Sequence, residues 1–226
     1  MDNNINRNNI ASFLLFVLLL SPAVLVADNG NDVAVSLLDK AVKVMRADAG
    51  VRMDFSYAVS DADGEALFSD KGYFCLGRGA DVQAAERYTL QMQQVRIWCN
   101  GERQWNFMEQ TNEIYITAAD SDEAQGLSPL HLMQLYKSGE YECSVEAVAA
   151  DNVVTLASKA GASEFNRIKV WLSACNSRLV KLQMFTSDGN VAEIVIDAYK
   201  PHCSFDSSLF ECPLSEYPDA EVVDMF

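Results

Sequence analysis

The sequence predicts a mainly β (α+β) protein: one strongly curved antiparallel sheet, an unclosed half-barrel, covered by helices. Three observations favour this fold class. After residue 50, apolar and polar residues alternate with a period of two over most of the chain. The reversals between the alternating segments contain Gly, Asn or Asp, which accept the backbone of hairpin turns. Only two segments have helical periodicity, so a sheet that must bury its apolar face is expected to wrap around them and enclose an apolar space.

Residues 1–27 have the pattern of a secretory signal peptide. Arg7 precedes an apolar run, Ile10–Leu20, and Ala27 stands just before a polar stretch. We expect cleavage near Ala27 and export of the remaining chain. The alternative is an N-terminal membrane anchor, but the run from Ile10 to Val26 is shorter than the roughly 20 residues that span a bilayer, and Pro22 interrupts it.

Residues 28–226 are long enough for a single domain with a substantial core. The formal net charge of the chain is −15. An acidic surface repels phosphate backbones and anionic headgroups, so nucleic acid is not an expected partner and contact with lipid must be made by apolar groups. We expect a monomer.

Six cysteines in an exported chain permit disulfides, with fifteen possible pairings. Cys203 and Cys212 are close enough in sequence to close a short loop, and they are the one pair that we predict. The alternative is that most of the six are small buried hydrophobic residues, because Cys75, Cys143 and Cys175 lie in apolar strand patterns.

The first element is an amphipathic helix over Asp32–Ala47. Asn31 is a suitable N-cap, and Gly50 follows the end of the helix. The predicted apolar stripe contains Val33, Leu37, Ala41, Val44 and Met45.

Strands follow from Val51–Val59 onwards, where apolar residues alternate with polar or small residues. Alternating apolar positions recur at Tyr88/Leu90/Met92, Val95/Ile97/Cys99, Ile114/Ile116, Tyr141/Cys143/Val145, Ile168/Val170/Leu172, Val180/Leu182/Met184 and Ala192/Ile194/Ile196. Predicted reversals lie at Asp63-Gly64, Asn100-Gly101, Asp151-Asn152, Asn176-Ser177 and Asp188-Gly189. Strands that are neighbours in sequence are therefore expected to pair antiparallel.

A second helix is predicted between the strands. Ser128 is its cap, Pro129 its first residue, and Gly139 follows its end.

The sequence carries no recognisable catalytic motif. Its two histidines, His131 and His202, are far apart in sequence and form no metal or nucleophile cluster. A hydrolase with two carboxylates would need both on the apolar face of adjacent strands, where the alternation places few. We therefore expect neither an enzyme nor a cofactor.

Several segments, taken in order, resemble the LolA-type periplasmic carriers of outer-membrane lipoproteins. They are Leu38-Asp39-Lys40 with the strand after it, the hairpin Val95–Phe107 with its Asn-Gly turn and aromatic pair, Asn112–Ile116, Ser128-Pro129, Leu135–Lys137, and the closing residues Phe210, Pro213, Tyr217-Pro218 and Glu221–Asp224. The resemblance covers roughly residues 32–226.

This resemblance implies an unclosed β-barrel capped by helices, with an apolar cavity that holds lipoprotein acyl chains. It also implies a periplasmic location, a releasing transporter in the inner membrane and an acceptor at the outer membrane. The alternative from another class is an envelope regulatory or scaffolding module of the same fold, which binds lipid or protein without transport and has a filled core.

The candidate lipid-binding residues share apolar positions on the first strands. They are Met53, Phe55, Tyr57, Phe74, Leu76, Tyr88, Leu90, Met92, Ile97, Trp105 and Phe107. For each of them, packing in an ordinary core is an equally good interpretation. Replacing Phe55 or Leu90 with Glu is predicted to reduce cargo retention.

Arg78 is a candidate for pinning the lid helix. The resemblance implies such a role for an Arg in a Lys-Arg-Pro segment after the second strand, and here Arg78 stands at that place without the proline. A guanidinium has enough donors to bond several helix carbonyls. The alternative is a solvated loop arginine.

Overall fold

A single sheet contains most of the chain in the computed structural model, which describes residues 30–78, 86–121, 128–159 and 165–226. The predicted signal peptide lies outside these ranges. Within them, no helix combines the length and the hydropathy needed to cross a bilayer.

The described residues form twelve strands: β1 Gly50–Ser60, β2 Ala66–Gly77, β3 Arg87–Gln91, β4 Val95–Cys99, β5 Arg103–Met108, β6 Glu113–Ala118, β7 Tyr141–Val148, β8 Asp151–Ser158, β9 Phe165–Ser173, β10 Leu179–Thr186, β11 Val191–Lys200 and β12 Glu221–Asp224. The α-helices are α1 Gly30–Ala47 and α2 Pro129–Leu132, and 3₁₀ turns occur at Leu135–Ser138, Ser207–Phe210 and Leu214–Glu216.

The sheet is curved and unclosed, as predicted. Its strand order is β12-β6-β5-β4-β3-β2-β1-β11-β10-β9-β8-β7, so β12 and β7 form its two edges. Strands that follow each other in sequence pair antiparallel, also as predicted, both from β1 to β6 and from β7 to β11. The two halves of the sheet meet at the antiparallel pair β1–β11, and among the described strands only β12 pairs in parallel, with β6.

Four of the five predicted reversals are confirmed by positive φ angles at Gly64, Gly101, Ser177 and Gly189. The reversal predicted at Asp151-Asn152 is wrong. Val148 pairs with Asp151, so the turn lies at residues 149–150 and Ala149 takes the positive φ. Ala149 carries no turn signal in the sequence, whereas Asp151 and Asn152 resemble turn residues although they begin β8.

Helix α1 begins before the predicted residue, and its buried stripe differs from the predicted one. Asn31 lies inside the helix and is not its cap. The buried residues are Ala34, Leu38, Ala41, Val42 and Met45. Val33 is 49% exposed, and its neighbour Ala34 takes the buried position.

The second predicted helix is two short elements. α2 begins at Pro129 after the cap Ser128 and has a single turn, and the 3₁₀ turn that follows ends at Gly139, which has a φ of 78°. The predicted start and end are confirmed, but the chain does not stay α-helical between them. Leu130, Leu132 and Met133 nevertheless reach the core.

We call the face of the sheet that packs against α1 and α2 the inner face, and the opposite one the outer face. One core cluster joins buried residues of α1 and α2 to residues of β1–β4 and β7–β11. The inner face therefore buries its apolar side chains beneath the helices, as the alternation predicted.

The segment 201–220, which we call the C-terminal strap, covers the outer face of the first strands. Two glycines, paired across β1 and β2, permit its close approach. A Cβ atom on Gly50 would lie 2.5 Å from the carbonyl oxygen of Cys203, and one on Gly77 would lie 2.3 Å from Cζ of Phe210. Phe210 is buried there, and the Arg87 guanidinium lies 5.3 Å from the centre of its ring.

Gly77→Ala should destabilise the protein, because the added methyl overlaps the buried Phe210 ring. We expect a loss of about 1–3 kcal/mol in the free energy of unfolding, measured by urea denaturation. Gly30→Ala is the control, since a Cβ there meets nothing within 4 Å. Equal stability of the two variants would show that the strap does not hold Phe210 against the sheet.

The predicted disulfide between Cys203 and Cys212 is wrong, because all six thiols are free. The two residues lie at different places along the strap. Cys203 donates its amide to the carbonyl of Gly50 at 2.8 Å, whereas Cys212 packs against Trp98 and its neighbours. The intervening chain crosses the sheet and does not close a loop. Cys75 and Cys143 are small buried residues, which was the alternative to disulfides, but Cys175 is exposed.

Cys175 should react with an alkylating reagent such as iodoacetamide well before Cys75 and Cys212. Burial raises the pKa of Cys75 to about 11 and that of Cys212 to about 12, so at pH 8 both remain protonated and unreactive thiols. Mass-spectrometric mapping after brief alkylation checks this order. Early labelling of Cys75 or Cys212 in the folded protein would contradict the packing of the outer face.

Candidate functional site

Most of the predicted lipid-binding residues come together on the inner face. Met53, Phe55, Phe74, Leu76, Leu90 and Ile97 are buried in the main core cluster, and Tyr57, Tyr88 and Met92 are partly buried against it. Strand register brings them together, because Met53 pairs with Phe74, Phe74 with Leu90, and Leu90 with Ile97. The result is a continuous apolar surface across four strands.

This surface is closed in the structure. Met53 and Phe74 have no exposed area, and Phe55 is 2% exposed, so these side chains adjoin no space that water could enter. Gly72 lies opposite Phe55, and a Cβ on it would be 2.8 Å from the ring. Phe74 stacks on Tyr88 with ring centroids 5.8 Å apart. A ligand can reach these residues only if the cover moves.

Trp105 and Phe107 do not belong to this surface, so grouping them with the inner face is wrong. They lie on the outer face with Trp98, beneath the strap, and Tyr217 contacts Phe107 with ring centroids 4.6 Å apart. The cause is the register of β4 and β5, in which Ile97 is opposite Asn106 and Trp98 is opposite Trp105. β4 has apolar residues on both faces, Ile97 on the inner and Trp98 on the outer one, so the alternation alone does not identify the inner face of this hairpin.

The inner face becomes polar at β5 and β6, where Gln104, Asn106 and Thr117 replace apolar side chains. The hydroxyl of Tyr88 donates to Gln104, and Nε2 of Gln104 donates to Oδ1 of Asn106 at 2.9 Å. Burial raises the pKa of Tyr88, which therefore stays a hydrogen-bond donor. Oγ1 of Thr117 is buried without a partner. The sequence reasoning missed this polar end, although Gln104 and Asn106 visibly flank Trp105.

Three polar contacts hold α1 at its beginning, middle and end. Oδ1 of Asn31 accepts the amide of Cys143 at 3.2 Å, the hydroxyl of Tyr136 donates to Asp39, and Arg46 pairs with Glu86. The side chains of Arg46 and Glu86 are substantially exposed, and such exposed pairs contribute about 0–1 kcal/mol each. Apolar packing therefore provides most of the attachment of α1.

A pocket of about 570 Å³ opens where α1 meets β7. Val35, Tyr136, Tyr141 and Cys143 form its apolar walls, and Asn31, Gly139, Glu142 and Lys159 complete its lining. The buried side chains of Tyr141 and Cys143 belong to the main core cluster. The pocket is thus an approach to the core from the edge of the sheet.

Arg78 lies directly after β2 and is exposed. The hydrogen bonds described for it are made by its backbone, from its amide to Ala49 at 3.2 Å and from the Arg87 guanidinium to its carbonyl at 2.8 Å. At the end of α1, the side chain of Arg46 instead donates to that of Glu86. A lid-pinning role for Arg78 stays a prediction.

Metal-binding clusters were sought among His, Cys, Asp and Glu side chains. Within the described ranges, no group of three or more of these residues could hold a metal ion.

No protein-family model matches the sequence, and no curated protein matches it significantly. Solved structures that it is similar to include a LolA superfamily protein from Nitrosomonas europaea (11% identity, TM-score 0.41, 80% of this chain and 98% of that one). A DUF1329 family protein from Desulfovibrio piger also matches, with 9% identity and a TM-score of 0.47 over 80% of this chain and 97% of that one. The MucA/MucB complex of Pseudomonas aeruginosa matches with 10% identity and a TM-score of 0.45 over 80% of this chain and 61% of that one.

LolA superfamily proteins are thus among the structures that this chain is similar to, in keeping with the resemblance seen in the sequence. At these identities and TM-scores, the likenesses carry no argument about ligand or partner. The geometry of the inner face must supply that argument.

Gln104→Leu should destabilise the protein by about 1–3 kcal/mol, because it leaves the buried hydroxyl of Tyr88 without its acceptor. Adding Tyr88→Phe to the same protein should recover most of this loss, since no unpaired hydroxyl then remains. Urea denaturation of the two single variants and the double variant measures the coupling. Additive effects of the two changes would show that the two side chains do not interact.

Proposed function

We propose that the protein is an exported, non-catalytic carrier that sheaths the acyl chains of lipoproteins between α1 and the inner face and delivers them to the outer membrane. The resemblance to LolA-type carriers supports a periplasmic location, an inner-membrane releasing transporter and an outer-membrane acceptor as its partners. In water, each exposed methylene costs about 0.8 kcal/mol, so a carrier must cover the chains completely.

The observation that carries this proposal is the amphipathic character of the inner face. It is apolar from β1 to β4 and polar at Gln104 and Asn106, so it matches a ligand with a hydrocarbon tail and a polar linkage. The cover is a single amphipathic helix. Contacts of flexible and aromatic side chains such as Met92 and Tyr57 accept varied chains without fixing one geometry, which also allows release.

Loading requires α1 to leave the inner face, and the free energy of burying a cargo chain can offset the loss of the helix contacts. Burial of Leu38, Val42 or Met45 stabilises the closed form by about 1.5–3 kcal/mol per side chain. Roughly ten buried methylenes of a cargo chain offset the exposure of all three. Burial of about ten methylenes is thus enough to replace these three side chains on the inner face.

The closed packing favours a second candidate function. A module that binds envelope proteins and carries no lipid needs no internal space, and Met53, Phe55 and Phe74 are as buried as ordinary core residues. In this case the inner face serves stability alone, and partners bind to the outside of the molecule.

Native mass spectrometry of the exported protein, followed by lipid extraction, distinguishes a lipid carrier from a module that binds proteins without lipid. We expect the wild type to retain a triacylated lipopeptide. Met92→Glu should reduce this retention at least several-fold, because it places a charge at the partly buried margin of the apolar surface. Gln94→Glu is the matched control, two residues away and exposed.

Retention by Met92→Glu equal to that by Gln94→Glu would exclude the inner face as the site. Absence of bound lipid from the wild type, together with co-purifying proteins, would favour the second candidate.

A further inference from the structure

Strand β7 is an edge strand with regular geometry. It is the last strand in the order of the sheet, and it pairs with β8 without a bulge from Tyr141↔Ser158 to Val148↔Asp151. Such an edge has the backbone geometry needed to accept a further strand.

The contact with Asn31 shows which peptide groups of β7 face outward. Because the amide of Cys143 donates to the Asn31 side chain, it points away from β8. Peptide groups alternate in direction along a strand, so the amides and carbonyls of Val145 and Ala147 point the same way. This outward row begins beside α1 and continues to the end of the strand.

β7 lacks some of the usual protections of an edge strand, although α1 packs against it and the Asn31 side chain already occupies the amide of Cys143. Its sequence, YECSVEAV, contains neither Pro nor Lys, and its register is unbroken. Ser144, Glu146, Ala147 and Val148 are exposed. At the opposite edge, by comparison, β12 is only four residues long.

The charge at this edge is negative. Glu142 and Glu146 both project from the outer side of β7, and Glu146 has one described counterion, Lys169, at 3.6 Å. Glu140 stands exposed just before the strand, and the whole chain has a net charge of −15. A segment that pairs with β7 is therefore favoured if its outer residues are Lys or Arg.

The pocket at the junction of α1 and β7 adds a place for a side chain. Tyr141 and Cys143 line it from the inner side of the strand, opposite in direction to Glu142. A paired segment presents alternate side chains to the two sides, so its inner residues can be apolar while its outer ones are basic.

We propose that β7 binds an extended segment of a basic partner protein by adding it to the sheet as a further edge strand. The segment alternates basic residues, which meet Glu142 and Glu146, with apolar residues, one of which enters the pocket beside Tyr141. This interaction differs from the proposed lipid carriage, because it is made by the backbone edge of β7 and not by the apolar surface of β1–β4.

The test measures binding of a fluorescein-labelled octapeptide of alternating Lys and Val by fluorescence anisotropy. We expect Val145→Pro to weaken binding roughly tenfold or more, since it removes an outward-facing donor and adds a bulky ring to the edge. Val222→Pro is the matched control. The amides of Glu221 and Met225 donate to β6 and its preceding turn, so that of Val222 faces outward at the other edge. The affinity of Val222→Pro for the peptide should equal that of the wild type.

Charge is tested with the corresponding peptide of alternating Glu and Val. It should bind the wild type weakly, and the double variant E142K/E146K should reverse the preference between the two peptides. Equal affinity of the wild type for both peptides would overturn the basic partner, and no binding of either would overturn the proposal.

Hydrogen exchange of the wild type with the Lys-Val peptide locates the contact even if Val145→Pro does not fold. Protection confined to residues 141–148 is expected. Protection at β12 would overturn the assignment to β7. A wild-type dimer in sedimentation that the peptide does not dissociate would identify a second copy as the occupant and would likewise overturn the proposal.

Discussion

The apolar inner face of the sheet must be kept from water, and α1 is its main cover. The buried stripe of α1, which includes Leu38 and Met45, shares one core with β1–β4 and β7–β11. Because the polar contacts of the helix are few and partly exposed, hydrophobic burial is the main term that holds it in place. Because hydrophobic burial is not directional, another apolar ligand of similar area can replace the helix.

The two halves of the sheet are supported differently. β1–β4 share the main core with α1 and α2 on the inner face, and the C-terminal strap covers the outer face, where Phe210 and Tyr217 pack against the strands. The outer face of β9–β11 instead carries charged pairs such as Lys181 with Glu193. Apolar packing therefore supports both faces of the strap-covered half, whereas the other half has its apolar packing on the inner face.

Much of the fold was predictable because the alternation reports burial directly. β1 and the strand around Leu90 occur as predicted, since each has one apolar face. The prediction failed where the outer face is also buried: Trp105 and Phe107 are apolar because the strap covers them, and nothing local to β5 reveals a segment that returns from about 100 residues later. The position of β12 beside β6 and the separation of Cys203 from Cys212 depend on the same long-range packing.

Hydrogen exchange of α1 amides, with and without a bound triacylated lipopeptide, tests most directly whether the helix is an exchangeable cover. If cargo takes the place of the helix on the inner face, exchange in residues 34–45 should become faster on loading while β1 and β2 remain protected. Unchanged exchange in α1 of a protein that has demonstrably bound the lipopeptide would contradict the account, because the cargo would then occupy a site that the helix does not cover.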